Sequence, residues 1–426
     1  MNAAPLRTAI IGLGGFAGSH HEALLRLEEN GAARLVATCD PRPDAFPDEC
    51  QRWRFRERGI RVFADHRAML DASLASPGGL DLVVIPTPIA LHAPMHRDAV
   101  ERGVAVYLEK PPTLDPGELE AMIACDRRAA KTTLVGFNFI IEPAHLALKS
   151  RLLAGEFGRL REVRLLGQRP RPSAYFRRNA WAGRLRSPDG RLLLDSCLAN
   201  AMAHYVHNAL FWAGPRAVLD WAPPAGVQAS LWRAHDIEGA DTVFARVSTP
   251  DGVTLRLALT HALHGIDTLC ETLVTDEARI DWVARSHYAI TWHDHRMPPE
   301  RRPLPSFDLL AANHLDYHRY LRGETSRPST RLEDCRPFVR LNALCYLSAG
   351  TIADFPAALR HPRHDDAGQE FFHIDGLDDA MRAFLETGAW PRLHTVSAAP
   401  RTATPADSGN LSGAIDALLT ATPALP

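Results

Sequence analysis

Thr8-Ala9-Ile10-Ile11-Gly12-Leu13-Gly14-Gly15-Phe16-Ala17-Gly18 decides the fold. It reads as a buried strand that breaks into a glycine turn and opens a helix. Small residues are needed where backbone must approach phosphate oxygens, and the helix behind them offers free N–H groups and a positive dipole end. Gly12 and Gly14 fit the first two positions of the dinucleotide fingerprint, and Ala17 fits the third, with Gly18 beside it. The context agrees with that reading. Ala9 to Ile11 is apolar, Glu22 to Leu27 continues as a helix, and a second apolar strand from Arg34 to Cys39 ends in Asp40.

An acidic residue at that place accepts hydrogen bonds from ribose hydroxyls and repels a 2′-phosphate, which favours NAD over NADP. Asp40 equally suits the start of a turn before Pro41, and Arg42 beside it could accommodate a 2′-phosphate, so NADP stays open. About a hundred residues on, Val104-Ala105-Val106-Tyr107-Leu108-Glu109-Lys110-Pro111-Pro112 puts a lysine at the end of a later strand. A substrate facing the dinucleotide would sit there. Together the two segments point to a nicotinamide-dependent oxidoreductase.

Strand candidates alternate with helices as far as Asn138: Thr8–Ile11, Leu35–Cys39, Val62–Phe63, Leu82–Pro86, Val104–Leu108 and Thr133–Phe137. That rhythm implies a mostly parallel sheet covered on both faces. It then changes. Longer strands follow one another between 160 and 292, separated by turns such as Asp251-Gly252. Helices are expected over 143–153, 199–212, 308–322 and 332–352. The expected fold is an α/β N-terminal Rossmann domain, 1–138, followed by an α+β domain with a large, mainly antiparallel open sheet, 139–395. An Ala/Pro/Thr-rich tail, 396–426, reads as loose apart from a short helix near 412–419.

Length and composition bound the rest. A chain of 426 residues is long for one domain and suggests two. A net charge of −2 gives no reason to expect nucleic acid or a membrane surface as partner. No stretch reaches the roughly 18 to 20 apolar residues of a transmembrane helix, and the first strand begins too early to leave room for a signal peptide. Seven scattered cysteines without a Cys-x-x-Cys pair argue against a disulfide framework or a zinc ribbon, so a reducing cytoplasm is expected.

Several motifs in register resemble the Gfo/Idh/MocA family, named for glucose–fructose oxidoreductase, inositol dehydrogenase and a rhizopine-catabolism protein. Gly12-x-Gly14-Gly15-x-x-x-x-His20 is similar to its opening. Asp81 to His92 resembles its fourth strand, with the Thr87-Pro88 turn and the histidine after it. Glu109-Lys110-Pro111 is its diagnostic tripeptide. Gly136-Phe137-Asn138 followed by Pro143-Ala144-His145 resembles its crossover into the second domain. The resemblance is good over residues 7 to 165 and patchy to about 395.

It implies NAD(P)-dependent oxidation or reduction of a sugar, cyclitol or sugar-acid hydroxyl, and a homo-oligomer formed through the second domain's sheet. It also implies cofactor contacts from Gly12, Leu13, Gly14, Gly15, Phe16, Asp40, Thr87, Pro88, His92, Glu109, Lys110 and Asn138. Some relatives in that family only sense sugars, and others use internal redox to drive elimination or epimerisation.

Hydride transfer from an alcohol needs the C–H aimed at the nicotinamide and a base for the hydroxyl proton. Lys110 is the first candidate, as a base of lowered pKa or as a cation on the oxygen. Glu109 is expected to reach the nicotinamide ribose or to orient Lys110. The family's Asp-x-x-x-His-x-x-Asp motif falls at Asn200, His204 and His207, so this chain departs from it at both aspartates. Asn200 cannot be a base but can hydrogen-bond a hydroxyl. Asp195 is the nearby carboxylate. His204 is a sound proton shuttle, since histidine ordinarily titrates near neutrality; a buried helix histidine is the bland alternative.

Residues 159 to 191 carry ten arginines against Glu162 and Asp189. Arg177, Arg178 or Arg184 could hold an anionic substrate, Tyr175 and Trp181 could stack on a sugar ring, and His207 could stand behind them. A solvated loop is the plainer reading. His92 and His96 are four apart, yet no third ligand is placed near them, and no metal is expected.

Overall fold

The computed structural model describes residues 4–392, 400–406 and 410–421. The chain divides into two compact units, and Phe307–Cys335 belongs to the first although it lies late in the sequence.

The first unit is a six-stranded sheet of β1 (Leu6–Ile11), β2 (Ala33–Cys39), β3 (Arg61–Phe63), β4 (Leu82–Ile85), β5 (Ala105–Leu108) and β6 (Leu134–Val135). The order is β3-β2-β1-β4-β5-β6, and every neighbouring pair is parallel. This is the dinucleotide-binding order, with its reversal at β1 and β4. The helices are α1 (Ala17–Glu29), α2 (Pro47–Arg52), α3 (His66–Leu74), α4 (His92–Glu101) and α5 (Pro116–Asp126). Ile10, Leu24, Leu35, Trp53, Val84 and Tyr107 form a buried core.

The late segment joins that core through its helix, Leu309–Leu321. Tyr317 is fully buried in the core, its hydroxyl donates to Thr132 O at 3.0 Å, and Asn313 donates to the Tyr107 hydroxyl at 2.8 Å. The linear reading assigned these residues to the second domain; side chains more than 180 residues away in sequence draw them back.

The second unit is built on nine strands: β7 (Leu160–Gln168), β8 (Gly226–Arg233), β9 (Thr242–Ser248), β10 (Thr254–Thr260), β11 (Thr268–Thr275), β12 (Ala278–Val283), β13 (His287–Trp292), β14 (Glu300–Pro303) and β15 (Ile352–Asp354). Their order is β14-β13-β12-β11-β7-β10-β9-β8-β15. All pairs are antiparallel except β7 with β10 and β8 with β15. The helices of this unit are α6 (Pro143–Leu153), α7 (Ser173–Arg177), α8 (Ala203–Ala213), α10 (Arg336–Ala349), α11 (Leu377–Thr387) and α12 (Leu411–Ala421), α9 being Leu309–Leu321 of the first unit.

One face of this sheet is not free over β7 to β10. Leu166, Phe244 and Ala258 pack there against Phe372, Leu377, Met381 and Phe384, from α11 and a two-stranded ribbon, β16 (Arg360–His364) and β17 (Glu370–Ile374). Arg164, Arg256 and Arg246 stand directly opposite one another on β7, β10 and β9. They bind Glu386, the carbonyls of Leu385 and Glu386, and Gly388 O at the C-terminal end of α11, where cations are favoured.

Two further expectations change. The helix read over 199–212 is broken: a π-helical turn spans Cys197–Ala201, and α8 starts only at Ala203. The tail is not loose where it is described. Ala403 pairs with Val227, Arg401 donates to Leu347 O, and Ile415 of α12 is fully buried. Residues 393–399, 407–409 and 422–426 lie outside the described residues. Among the described residues no helix is long and apolar enough to cross a membrane.

Candidate functional site

In the first unit the glycine turn leaves β1 at the switch in strand order. Gly12 has φ +122° and Gly15 φ +60°, conformations that L side chains rarely adopt. A Cβ on Gly14 would lie 2.7 Å from the Phe46 ring. Gly12 N–H donates to Cys39 O at 2.6 Å, which ties the turn to the end of β2. His21 Nε2 meets Gly12 O at 3.1 Å, and its ring stacks on Trp53 at 4.4 Å. Asp40 Oδ2 accepts from Leu13 N at 3.4 Å and Oδ1 from Arg42 N at 3.0 Å. Asp40 therefore shapes its own turn and also stands beside the glycine backbone. Phe16, in the same turn, is half exposed. The cradle that a Cβ would fill, the opening of α1 and the carboxylate at the end of β2 fit a dinucleotide.

Lys110 sits in a frame of buried polar groups. Glu109 is 5% exposed; its Oε1 meets His20 Nε2 at 3.2 Å and its Oε2 accepts from Lys110 N at 3.1 Å. Room for that carboxylate depends on Gly136, where a Cβ would fall 2.5 Å from Glu109 Oε1. His92 Nδ1 lies 3.0 Å from Pro111 O and its Nε2 lies 2.8 Å from Thr87 O. Burial pushes the His92 pKa down against the pull of those two carbonyls. His92 thus links the Thr87-Pro88 turn after β4 to the turn after β5, where the Lys110–Pro111 bond is cis. Asn138 is buried just after β6. His96 turns elsewhere, to Thr133 Oγ1 at 3.0 Å, so the two histidines of α4 do not converge.

In the second unit Asp195 is buried, and its Oδ2 accepts from Gly183 N at 2.6 Å. Leu194 before it has φ +44°, a conformation that costs about 1–3 kcal/mol and persists where the surroundings dictate it. They do so here. Leu193 N and Leu194 N both donate to Leu185 O, and Asp195 N donates to Arg184 O. The Asp195 carboxylate thereby ties Gly183 to this turn.

Asn200 lies in the π-helical turn and His204 in the first turn of α8, both half-buried. Met202, at φ −111° and ψ 14°, separates the two, so they do not lie on one continuous α-helix. His207 is fully buried, and its Nδ1 accepts from Trp221 Nε1 at 3.2 Å. That contact agrees with a place behind the loop rather than in direct reach of a substrate.

The arginine-rich loop divides by partner. Arg184 is exposed and paired with Glu238 at 2.5 Å. Arg178 lies over Tyr175 at 3.5 Å and over Trp181 at 5.3 Å. Arg169 and Arg171, which sequence reading did not single out, are half-buried. The signal for them was the Arg-Pro-Arg-Pro repeat at 169–172.

Residues 6–137 match the family of oxidoreductases with an NAD-binding Rossmann fold whose model bears the name GFO_IDH_MocA. The chain is 34% identical over 158 residues to an inositol 2-dehydrogenase of Saccharopolyspora erythraea, covering 36% of this chain and 43% of that one. It is 32% identical over 154 residues to an NAD(+)-dependent scyllo-inositol 2-dehydrogenase of Bacillus subtilis, covering 36% and 42%. These matches span less than half the length of either relative. Among solved structures, the WlbA dehydrogenase of Bordetella pertussis, in complex with NADH and UDP-GlcNAcA, superposes with TM-score 0.65 at 21% identity, over 81% of this chain and 96% of that one. At that identity the likeness is one of fold.

Proposed function

We propose that this chain, whose residues 6–137 match the Gfo/Idh/MocA oxidoreductases, is an NAD-dependent dehydrogenase of that family acting on an alcohol carbon of a sugar, cyclitol or sugar acid. The observation that carries the reading is the frame around Lys110. His20, Glu109 and His92 are buried and bonded so that the turn after β5 is fixed at the same, C-terminal end of the parallel sheet as the glycine cradle. A surface Lys-Pro turn needs no such support.

When bound, NAD accepts the hydride of the oxidised carbon. Gly12, Leu13, Gly14, Gly15 and Phe16 would approach its phosphates, Asp40 would accept from the adenosine ribose, and Thr87, Pro88 and Asn138 would line its nicotinamide half. Lys110 holds the alcohol oxygen and takes or returns its proton. His204 is the second proton-handling group, and Asn200 hydrogen-bonds a neighbouring hydroxyl, since an amide donates and accepts but cannot deprotonate. Asp195 acts by holding the loop of Gly183.

The test is a titration of the purified chain with NADH and NADPH, followed by absorbance at the nicotinamide band with inositols, sugars and sugar acids. NADH binding with substrate-dependent reduction of NAD, lost in Lys110→Met while NADH binding persists, supports the proposal. Turnover undiminished in that variant would sink it.

A further inference from the structure

The ten arginines between 159 and 191 are not equivalent. Five have a carboxylate partner within the second unit: Arg161, Arg164, Arg184, Arg186 and Arg191. Arg159, Arg177 and Arg178 are exposed, where water answers the charge. Arg169 and Arg171 have neither solution. Both are half-buried, neither makes an ion pair among the described residues, and the Nε of each is buried without a hydrogen-bond partner.

The backbone that carries them is rigid. Arg169 N donates to Thr260 O at 3.0 Å, and Arg171 N to His261 O at 3.2 Å. His261 Nδ1 meets Arg169 O at 2.7 Å. His235 Nε2 meets Arg171 O at 3.1 Å, and its Nδ1 is held by the buried Asp241 at 2.7 Å. Pro170 and Pro172 fix the intervening torsions. Alternate residues of an extended segment point the same way, so the two guanidinium groups share a side. Burial pulls the Arg171 pKa down; Tyr175, whose ring lies 4.9 Å from the guanidinium, raises it, Arg169 and Arg178 lower it further, and the Asp267 carboxylate raises it. Arg169 also acts on the buried Tyr205, the neighbour of His204 in α8.

Guanidinium groups stay charged, and an uncompensated one in a half-buried position is costly. A protein that keeps two of them side by side, on a braced backbone, holds a place for a negative charge. We infer that Arg169 and Arg171, with Arg178 on Tyr175 beside them, form an oxyanion subsite next to α8, so that the substrate carries a carboxylate or phosphate besides its alcohol. The claim about substrate rests on the dehydrogenase reading; the claim about anion binding does not.

The test is thermal unfolding and calorimetric titration of the full chain, with and without NADH, at constant ionic strength. The probes are D-glucuronate, D-glucose 6-phosphate and inorganic phosphate, with myo-inositol and D-glucose as neutral controls. The expected result is an upward shift in Tm with an anion and none with the controls. Binding should fall about tenfold or more in Arg169→Gln and Arg171→Gln, and the anion-free Tm of each variant should hold or rise. Arg171→Lys keeps the charge but not the fork, and should bind weakly while folding normally.

A response to glucuronate alone identifies a carboxylate, and a response to the phosphates alone a phosphoryl group. No shift with any anion, or equal shifts in the glutamine variants, overturns the subsite. If neutral inositols are oxidised while anions do nothing, the subsite falls and the dehydrogenase stands. If anions bind but no probe reduces NAD, the reverse holds.

Discussion

The buried His20 ring meets the Glu109 carboxylate at 3.2 Å through Nε2, with its Nδ1 3.0 Å from His314 Nε2. The proton arrangement that satisfies this row runs one way. His314 donates to His20, and His20 donates to Glu109, whose other oxygen accepts from Lys110 N. Burial keeps His314 neutral by pushing its pKa well down, helped by His20 and His318 nearby. His20→Leu leaves a buried carboxylate without its donor and should cost about 3 kcal/mol in urea unfolding. His20→Gln, which can still donate, should recover most of that. Equal stability of His20→Leu and the parent chain would refute the arrangement.

Gly136→Ala attacks the same carboxylate from the other side, since its Cβ would fall 2.5 Å from Glu109 Oε1. Overpacking of this kind costs about 1–3 kcal/mol. Because both changes act by displacing Glu109, their effects should not add: the double variant is expected to be clearly less destabilised than the sum. Full additivity in a double-mutant cycle would show that the two residues work independently.

His21 gives a pH dependence with a definite sign. Burial lowers its pKa to about 4 from an ordinary 6.5, despite the bond to Gly12 O. The unfolded chain therefore binds the proton more readily than the folded one. The stability due to neutral His21 is complete above pH 6.5 and is lost as pH falls through 4. A shift of this size is worth about 3 kcal/mol. His21→Gln should flatten the fall in stability between those limits. The buried His318, also lowered to about 4, and His261, lowered to about 3, add to the parent's acid sensitivity, so the difference between parent and variant is the measurement. An identical pH slope in both would remove His21 from the account.

Much of the first unit was legible because apolar runs and glycine turns are local signals. β1, the cradle, Asp40 and Glu109-Lys110-Pro111 all announce themselves within a few residues. The partners that give those residues their roles do not. His314 lies 294 positions from His20, and an amphipathic helix reads the same whichever unit it packs on, so α9 was assigned to the wrong one. The break before α8 was hidden because Leu198 to Trp212 is largely apolar, with no glycine or proline to mark it. β16 was missed because its residues, Arg360 to His364, are mostly exposed and polar, without the alternation of a half-buried strand. Asp195 could be seen as a carboxylate near the right place. Its use by the Gly183 N–H is a property of the folded loop.

That use separates two roles for Asp195. A general base must exchange its proton with substrate, so Asp195→Asn would abolish turnover and remove a limb of the pH–rate profile. A brace only has to accept the Gly183 N–H, which an asparagine oxygen does nearly as well. The expected outcome is therefore a modest loss in Asp195→Asn, within about tenfold in kcat/KM, with an unchanged pH profile. Asp195→Ala leaves the Gly183 donor unpaired in a buried place and should lower stability by about 1–3 kcal/mol. Lys110→Met should leave stability nearly untouched and remove turnover. If Asp195→Asn instead behaves like Lys110→Met, with an intact Tm and a lost pH limb, the carboxylate is a catalytic base and the brace is incidental.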